Sequence, residues 1–374
     1  MNISDLRLPA RQTKASAGPK RGSFDLPFFV LTLLLLTIGV IMVLSSSFAR
    51  AYAQGKSPTY YFVRQAAFAV AGVVAMILLS KVRMVTYRRL SLLVLGVSIF
   101  LLAVVWIPHI GTRVNGARRW LSLGFTTFQP SEIAKIAVVL FFSSMICTYK
   151  EQMQTFRYGV VLMLEPHLSA SIIIMALAIV MMFVGGIKLS YLLVGMGSAG
   201  ALLLIASKFV PYVHKRIVSW RDPFADTSAA GYQIVQSLYS IGSGGFLGLG
   251  LGQSRQKYLY LPEEHNDYIF SIVCEELGYV GAIAILILFA LLICRGYWIA
   301  AHSPDRYSFL VGIGITTLLS IQVFLNIAVV TNLIPCTGIS LPFFSYGGTA
   351  LLMQLGEMGI ILSISRDIPT KKAR

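Results

Sequence analysis

The sequence predicts an all-α polytopic membrane protein of about ten transmembrane helices, with both termini in the cytoplasm and one long extracellular loop. First, 56% of its 374 residues are hydrophobic and only 12% are charged, about half the charged fraction of a soluble domain. Second, apolar runs of about 18 or more residues recur along almost the whole chain, long enough to cross a bilayer as helices. Third, the predicted inner segments carry many more Lys and Arg residues than the short outer loops, which fixes the orientation.

The N-terminal 25 residues are polar and basic and are predicted to form a cytoplasmic tail. The first apolar run, Leu26 to about Ser47, is too long for the core of a signal peptide and has no clear cleavage site. We therefore predict a retained first span. A single membrane domain then covers residues 26–366, and residues 367–374 form a second cytoplasmic tail.

The apolar runs predict ten spans in chain order. They lie near residues 26–47, 60–80, 89–108, 131–148, 158–167, 168–186, 190–210, 267–293, 308–332 and 347–364. The fifth is short and contains Glu165-Pro166, which favours a half-helix or a re-entrant piece. The large extracellular loop is predicted at about 211–266.

The net charge of +16 arises mostly from this inside-positive bias, so no nucleic-acid partner is predicted. The basic tails suit anionic lipid instead. Of the four cysteines only Cys336 falls in an outer loop, which argues against a structural disulfide. The glycine run at 242–252 lacks the Lys-Ser/Thr ending of a phosphate-binding loop. We expect it to let backbone segments pack closely.

Ionisable residues collect near the predicted outer face. Arg64 lies about one turn below the outer end of its span, and Glu132 and Lys135 share one helical face. Asp267 opens the eighth span, and Glu275 lies about two turns deeper. Each charge inside a bilayer costs on the order of 2.5–3.5 kcal/mol, so the cluster predicts a polar cavity. Three outer segments, predicted to be irregular, would line or cover it: 109–131, 211–266 and 332–348.

Five ordered segments resemble the signature motifs of the SEDS proteins (shape, elongation, division and sporulation). They are "NGARRWLSLG…FQPSEIAK", "SWRDPF", "GYQIVQSLYSIGSGGFLGLGLG", "LPEEHNDYIFSIVCEELG" and "TGISLPFFSYGG". The likeness covers about residues 25–367 and is closer to the division and sporulation branch than to the rod-elongation branch. It implies a ten-helix peptidoglycan glycosyltransferase that polymerises lipid II outside the cytoplasmic membrane and releases lipid pyrophosphate. It also implies a class B penicillin-binding protein as partner, beside other division or sporulation proteins.

Asp267 is the predicted catalytic base. Glycosyl transfer needs a base that takes a proton from the attacking hydroxyl, and the motif places the family's essential aspartate here. The family usually reads His-Thr-Asp, whereas this chain has His265-Asn266-Asp267. From the residues alone, helix capping is an alternative role for Asp267. Glu275 and Glu276 are expected to pair within the bundle.

The departing pyrophosphate needs positive groups, because Arg offers it a bidentate fork and Lys a point charge. The candidates are Arg64, Arg118, Arg119, Lys135, Arg221, Arg255 and Lys257. Lys135 is also a candidate partner for Glu132 or Asp267, and His265 for orienting Asp267 or a sugar. No protein metal cage is predicted; a divalent cation, Mg²⁺ or Mn²⁺, would act only by bridging phosphate oxygens.

Two alternatives to the enzyme remain at this stage: a lipid II flippase and a non-enzymatic scaffold of the division machinery. A transporter should show inverted halves with ions near mid-membrane, whereas here the ions lie towards the outer side. A scaffold would not need clustered intramembrane charge. One segment departs from the family: "EPHLSAS" has His167 where many members have an acid, so no role is assigned to His167.

Overall fold

The computed structural model describes residues 21–105, 107, 111–114, 117–122, 127–149, 168–186, 197, 211–225 and 229–369. Within these ranges the chain is mostly helical, with one small sheet. The helices are α1 (Leu26–Ala53), α2 (Tyr60–Leu79), α3 (Met84–Val104), α4 (Pro130–Thr148), α5 (Leu168–Gly185), α6 (Pro211–Arg221), α7 (Ala229–Ser243), α8 (Ile269–Ala301), α9 (Arg306–Val330) and α10 (Gly348–Ser365). The strands are β1 (Gly111–Val114), β2 (Ala117–Ser122) and β3 (Thr127–Phe128).

Seven of these helices are long and apolar enough to cross a membrane: α1, α2, α3, α4, α8, α9 and α10. A shorter apolar stretch, Ile173–Gly185, belongs to α5. The chain is therefore a multi-pass helical membrane protein, as predicted. The count of ten stays a prediction, because the proposed spans 158–167 and 190–210 lie outside the described residues, apart from residue 197.

Several helix ends differ from the predicted ones. α3 begins five residues earlier than predicted, and α8 continues eight residues further, to Ala301. Both extensions lie at predicted inner ends, where polar and basic residues interrupt the apolar run without breaking the helix. Hydropathy marks the part of a helix that lies in lipid, and hydrogen bonding continues beyond it.

Two predicted irregular segments contain regular structure, which corrects the prediction. Within 211–266 lie α6 and α7, and α7 buries Ile234, Ser237 and Ser240 along one face. Within 109–131 lies an antiparallel sheet of order β1-β2-β3. Asn115-Gly116 joins its first two strands, and this dipeptide favours a two-residue hairpin. The predicted irregular backbone at 332–347 is confirmed.

The segment between α9 and α10 dips into the helix bundle. Phe343 and Phe344 are fully buried, and both rings pack against Phe289 of α8. Gly39 of α1 makes room for them, because a Cβ atom there would overlap the carbonyl oxygen of Phe343. α10 also packs against α2, and α8 against α1 and α9. The outer ends of these helices therefore surround the connecting segment.

The predicted cytoplasmic end is closed by two arginines. Arg21 donates to both carboxylate oxygens of Asp367 at 2.7 and 2.9 Å. Arg295 of α8 donates to Asp25 at 3.1 and 2.6 Å. Asp25 also caps α1 by accepting from the backbone nitrogen of Phe28 at 2.9 Å. These bonds join the start of α1 to α8 and the end of α10.

α8 is broken at Gly278, whose φ of 67° and ψ of −171° are not helical. The glycine run pairs with the break: Leu249 and Gly250 donate to the carbonyls of Glu275 and Glu276 at 2.9 and 3.0 Å. Cβ atoms at Gly248 or Gly278 would overlap the opposite backbone. The expectation that these glycines allow close backbone packing is confirmed.

Candidate functional site

The segment 264–268 precedes α8 at the predicted outer face and carries the predicted base, Asp267. α8 begins at Ile269, so Asp267 does not open the helix as predicted, and the residue at the cap position is Tyr268. Capping is therefore not supported as the role of Asp267. The Asp267 side chain is half-buried, and a Cβ atom at Gly338 would lie 3.3 Å from its Oδ2 atom. The carboxylate thus faces the connection between α9 and α10 at Gly338, which is exposed.

This connection supports the segment through polar side chains. Asn326 of α9 donates to the carbonyl of Asp267 at 2.8 Å and to that of Ile339 at 2.7 Å. Ser345 donates to the carbonyl of Asn266 at 2.8 Å. Gln65 of α2, fully buried, donates to the carbonyl of Ser345 at 3.1 Å. The backbone that carries Asp267 is therefore held in place by α2, by α9 and by the connection between α9 and α10.

Glu264 and Arg50 form a bidentate ion pair beside this segment. The Nε and Nη2 atoms of Arg50 lie 2.8 and 2.7 Å from the two oxygens of Glu264, which is fully buried. Burial acts to raise the pKa of the Glu264 carboxyl. The ring of His265, with Nδ1 at 3.7 Å, and the Arg50 guanidinium outweigh it, so the pKa lies below its ordinary value. Glu264 is therefore ionised at neutral pH.

His265 is buried between aromatic rings. Its ring centroid lies 5.0 Å from that of Tyr61 and 5.8 Å from that of Tyr346. Its carbonyl accepts from the backbone nitrogen of Tyr346 at 2.8 Å. Burial raises the pKa of Tyr346, while Arg64 acts to lower it. The surroundings of His265 hold the backbone next to Asp267.

A second polar cluster lies on the outer side of the break in α8. Glu276 accepts from the Nζ atom of Lys257 at 3.1 Å and from the hydroxyl of Ser45 at 2.6 Å. Glu275 accepts from the hydroxyl of Ser254 at 2.5 Å and from the backbone nitrogen of Arg255 at 2.9 Å. Glu276 is therefore paired with a cation, as expected, whereas Glu275 is held by hydrogen bonds from hydroxyl groups and a backbone nitrogen.

A third cluster lies inside the bundle where α4 meets α10. Lys135 and Glu132 form an ion pair at 2.8 Å, and both side chains are buried. This confirms that the two share one helical face. Glu357 of α10, 98% buried, interacts electrostatically with both. The cluster therefore holds two acidic groups and one basic group.

Residues 25–369 match the family described as "Cell cycle protein", that of FtsW, RodA and SpoVE.

The chain belongs to this family.

The resemblance to the SEDS proteins is thereby confirmed. The chain is 41% identical over 363 residues to stage V sporulation protein E of Bacillus subtilis (strain 168), covering 93% of this chain and 98% of that protein. It is 37% identical over 364 residues to a probable peptidoglycan glycosyltransferase FtsW of Trichlorobacter lovleyi, covering 92% and 94%. The division and sporulation branch is thus supported.

Two solved structures share the fold. A chain of a peptidoglycan synthase complex, described for its coordination of polymerization and crosslinking, superposes with a TM-score of 0.76 at 28% identity, covering 92% of this chain and 98% of that one. The rod shape determining protein RodA of Thermus thermophilus gives a TM-score of 0.67 at 25% identity, covering 93% and 98%.

The remaining predicted site residues of this SEDS protein are spread over the outer end. Arg64 is half-buried and donates to the hydroxyl of Tyr60 at 2.6 Å. Arg221 ends α6 and is exposed, as is Arg255. The backbone of Arg118 and Arg119 lies on β2, and the placement of their side chains and of His167 is outside the described residues. In the described part of the chain, no group of three or more His, Cys, Asp or Glu side chains could hold a metal ion.

Four supporting residues were not predicted from the sequence: Arg50, Gln65, Asn326 and Ser345. In the sequence Arg50 is one of the basic residues of the predicted short outer loops. Gln65 and Asn326 interrupt apolar runs, and a polar residue inside a span usually faces the bundle interior. That signal would have identified both as interior residues, though not their partners.

Proposed function

We propose that this chain is a peptidoglycan glycosyltransferase. It polymerises lipid II into glycan strands at the outer face of the cytoplasmic membrane, during cell division or sporulation, and releases lipid pyrophosphate. The observation that carries the proposal is the half-buried carboxylate of Asp267, anchored at the outer end of α8 in a family whose curated relatives are named for this activity.

The reaction assigns one task to Asp267. Its carboxylate takes the proton of the acceptor hydroxyl while the hydroxyl oxygen bonds to the anomeric carbon of the donor. The bond from that carbon to the lipid pyrophosphate breaks, and the pyrophosphate departs with both bonding electrons. Partial burial of the carboxylate limits its contact with water. The anchored backbone keeps the carboxylate oriented towards the acceptor hydroxyl.

The leaving pyrophosphate requires positive charge. Lys257 lies 3.1 Å from Glu276 and Lys135 lies 2.8 Å from Glu132, so both charges are already matched by carboxylates. The arginine candidates Arg64, Arg118, Arg119, Arg221 and Arg255 are therefore favoured for this role. A divalent cation, Mg²⁺ or Mn²⁺, would supply further positive charge for the leaving pyrophosphate.

The product strands must be cross-linked by another protein. We assign this to a class B penicillin-binding protein, in line with the similarity to a chain of a synthase complex that couples polymerization and crosslinking. α8 exposes Val280, Ile283, Ile287 and Leu291 along one face, which offers an apolar surface for the partner's single span. Other division or sporulation proteins complete the assembly, and no nucleic acid takes part.

The test is polymerisation by the purified chain. Labelled lipid II is incubated with the protein in detergent, and the products are separated on a gel. Strands longer than the disaccharide unit support the proposal. A mock preparation from cells without the expression plasmid controls for contaminating polymerases. If the protein moved lipid II across vesicle membranes and made no glycan strands, the flippase would be indicated. If it showed neither activity, the non-enzymatic scaffold would be the remaining alternative.

A further inference from the structure

Each residue from 264 to 267 is held by a contact with α1, with α9 or with the connection between α9 and α10. Glu264 binds Arg50 at the outer end of α1, and the carbonyl of His265 accepts from the nitrogen of Tyr346 at 2.8 Å. The carbonyls of Asn266 and Asp267 accept from Ser345 and Asn326, each at 2.8 Å. Only the first of these anchors is an ion pair, and it is the only one of the four that reaches α1.

The ion pair is better suited to orientation than to stability. Glu264 is fully buried and the Arg50 side chain is 23% exposed. Removing such charges from water costs about as much as their attraction returns, so a buried pair adds little net stability. Its bidentate geometry, however, fixes the plane of the carboxylate relative to the guanidinium. The ion pair therefore contributes little to stability, but it fixes the direction of the chain that follows Glu264.

The chain beyond Glu264 is short and turns tightly. Glu263 has a φ of 57°, in the left-handed region, and its carbonyl accepts from the backbone nitrogens of Asn266 and Tyr268 at 3.0 and 3.3 Å. Three residues after the ion pair the chain reaches Asp267. If Glu264 rotated, the turn would move with it and the Asp267 carboxylate would change its direction.

We infer that Arg50 and Glu264 are a positioning pair for Asp267, through which α1 sets the direction of the catalytic base. The inference rests on the proposed function. The pair does not touch substrate. By holding the turn, the pair keeps the Asp267 carboxylate aligned for proton transfer. The outer end of α1 thereby supports the active site.

A double variant tests the pair without leaving a lone buried charge. Arg50→Gln with Glu264→Gln removes both charges and keeps a hydrogen-bonding side chain at each position; Gln has the length of Glu but is shorter than Arg. We expect the turnover number for lipid II to fall roughly 10- to 100-fold, as for a base misplaced by about 1 Å, while KM stays within about threefold. Arg50→Lys, which keeps the charge but loses the fork, should lie between. A double variant within twofold of wild type, or Arg50→Lys at the full rate, would overturn the inference.

The matched control is the other bidentate pair of α1. Arg295→Gln with Asp25→Asn removes the ion pair at the predicted inner end, and Asn still caps α1. Its turnover should stay within about twofold of wild type. An equal fall in both double variants would show that any loss of an ion pair harms the protein, and would contradict a positioning role.

Hydrogen exchange separates this inference from the proposed function. The peptide spanning 260–268 should exchange faster in the Arg50/Glu264 double variant than in wild type, and the inner-end control should not change it. Unchanged exchange would overturn the inference. If wild type makes no strands, the proposed function fails, and the exchange result still decides whether the pair holds the turn.

Discussion

Replacing Gly278 by Ala should destabilise the outer half of α8 by about 2–6 kcal/mol. The backbone at Gly278 has φ 67° and ψ −171°, a region that is essentially restricted to glycine and costs other residues on the order of 1–3 kcal/mol. The added Cβ atom would also overlap the nitrogen of Gly248 and lie 2.6 Å from the carbonyl carbon of Leu247. Such overpacking costs typically about 1–3 kcal/mol, and the two effects act together.

Three neighbouring glycines separate the two effects. Gly244→Ala meets the carbonyl oxygen of Cys274 without a positive φ, and should cost about 1–3 kcal/mol. Gly245→Ala has φ +54° and open space, and should cost about 1–2 kcal/mol. Gly242→Ala has neither problem and lies in α7, where Ala gains up to about 1 kcal/mol.

The assay is unfolding in mixed micelles with increasing SDS, followed by far-ultraviolet circular dichroism. We expect Gly242→Ala to be the most stable of the four variants, Gly245→Ala and Gly244→Ala to be intermediate, and Gly278→Ala to be the least stable. If Gly278→Ala unfolded together with Gly242→Ala, the helix would not need its break, and the reasoning from the glycine contacts would be refuted.

Three further predictions concern charged residues of the site. Lys257→Met leaves Glu276 buried without its cation and should cost about 3–5 kcal/mol in the same titration, most of it recovered when Glu276→Gln is added; a single variant as stable as wild type would contradict this. Below pH 4.5 the wild type should lose stability as Glu264, whose folded pKa is lowered, takes up a proton. The stabilisation by ionised Glu264 is complete above the ordinary pKa of Glu and is lost as the pH falls through the folded-state pKa. The Glu264→Gln variant should therefore lose less stability in acid than wild type. An equal loss in both proteins would exclude Glu264 as the cause. Arg118→Gln with Arg119→Gln should slow polymerisation at low lipid II and leave membrane insertion intact; normal turnover there would remove both from the site.

The sequence predicted the membrane fold because hydropathy reports directly on burial in lipid. It also predicted that Glu132 and Lys135 share a helical face, since they are three residues apart, and it gave Glu132 as one of two candidate partners for Lys135. It missed α7, whose buried face is partly serine, because serine carries no apolar periodicity. The dipeptide Asn115-Gly116, which favours a two-residue hairpin, is the one local signal in the sequence for the pairing of β1 with β2.

The support of Asp267 could not be predicted from local pattern. Arg50 is 214 residues from Glu264 in the chain, and Asn326 is 59 residues from Asp267. Such pairs depend on which helices become neighbours, and periodicity within one span does not determine this. The break in α8 at Gly278 was likewise hidden, since an isolated glycine in an apolar run reads as a tolerated helical residue.

The most direct test of the account is polymerisation of lipid II by Asp267→Asn. Asn keeps the size of the side chain and can hydrogen-bond, but it cannot take up the proton. If general-base assistance is worth its usual ~10²–10⁴-fold, the barrier rises by about 3–5.5 kcal/mol. Lipid II binding and the unfolding midpoint should stay near those of wild type. Glu263→Gln, which removes a neighbouring carboxylate in the same turn, serves as the control and should polymerise within a few-fold of wild type. A rate for Asp267→Asn lowered 10²–10⁴-fold is the predicted result; a rate within a few-fold of wild type would contradict the assignment of Asp267 as the base.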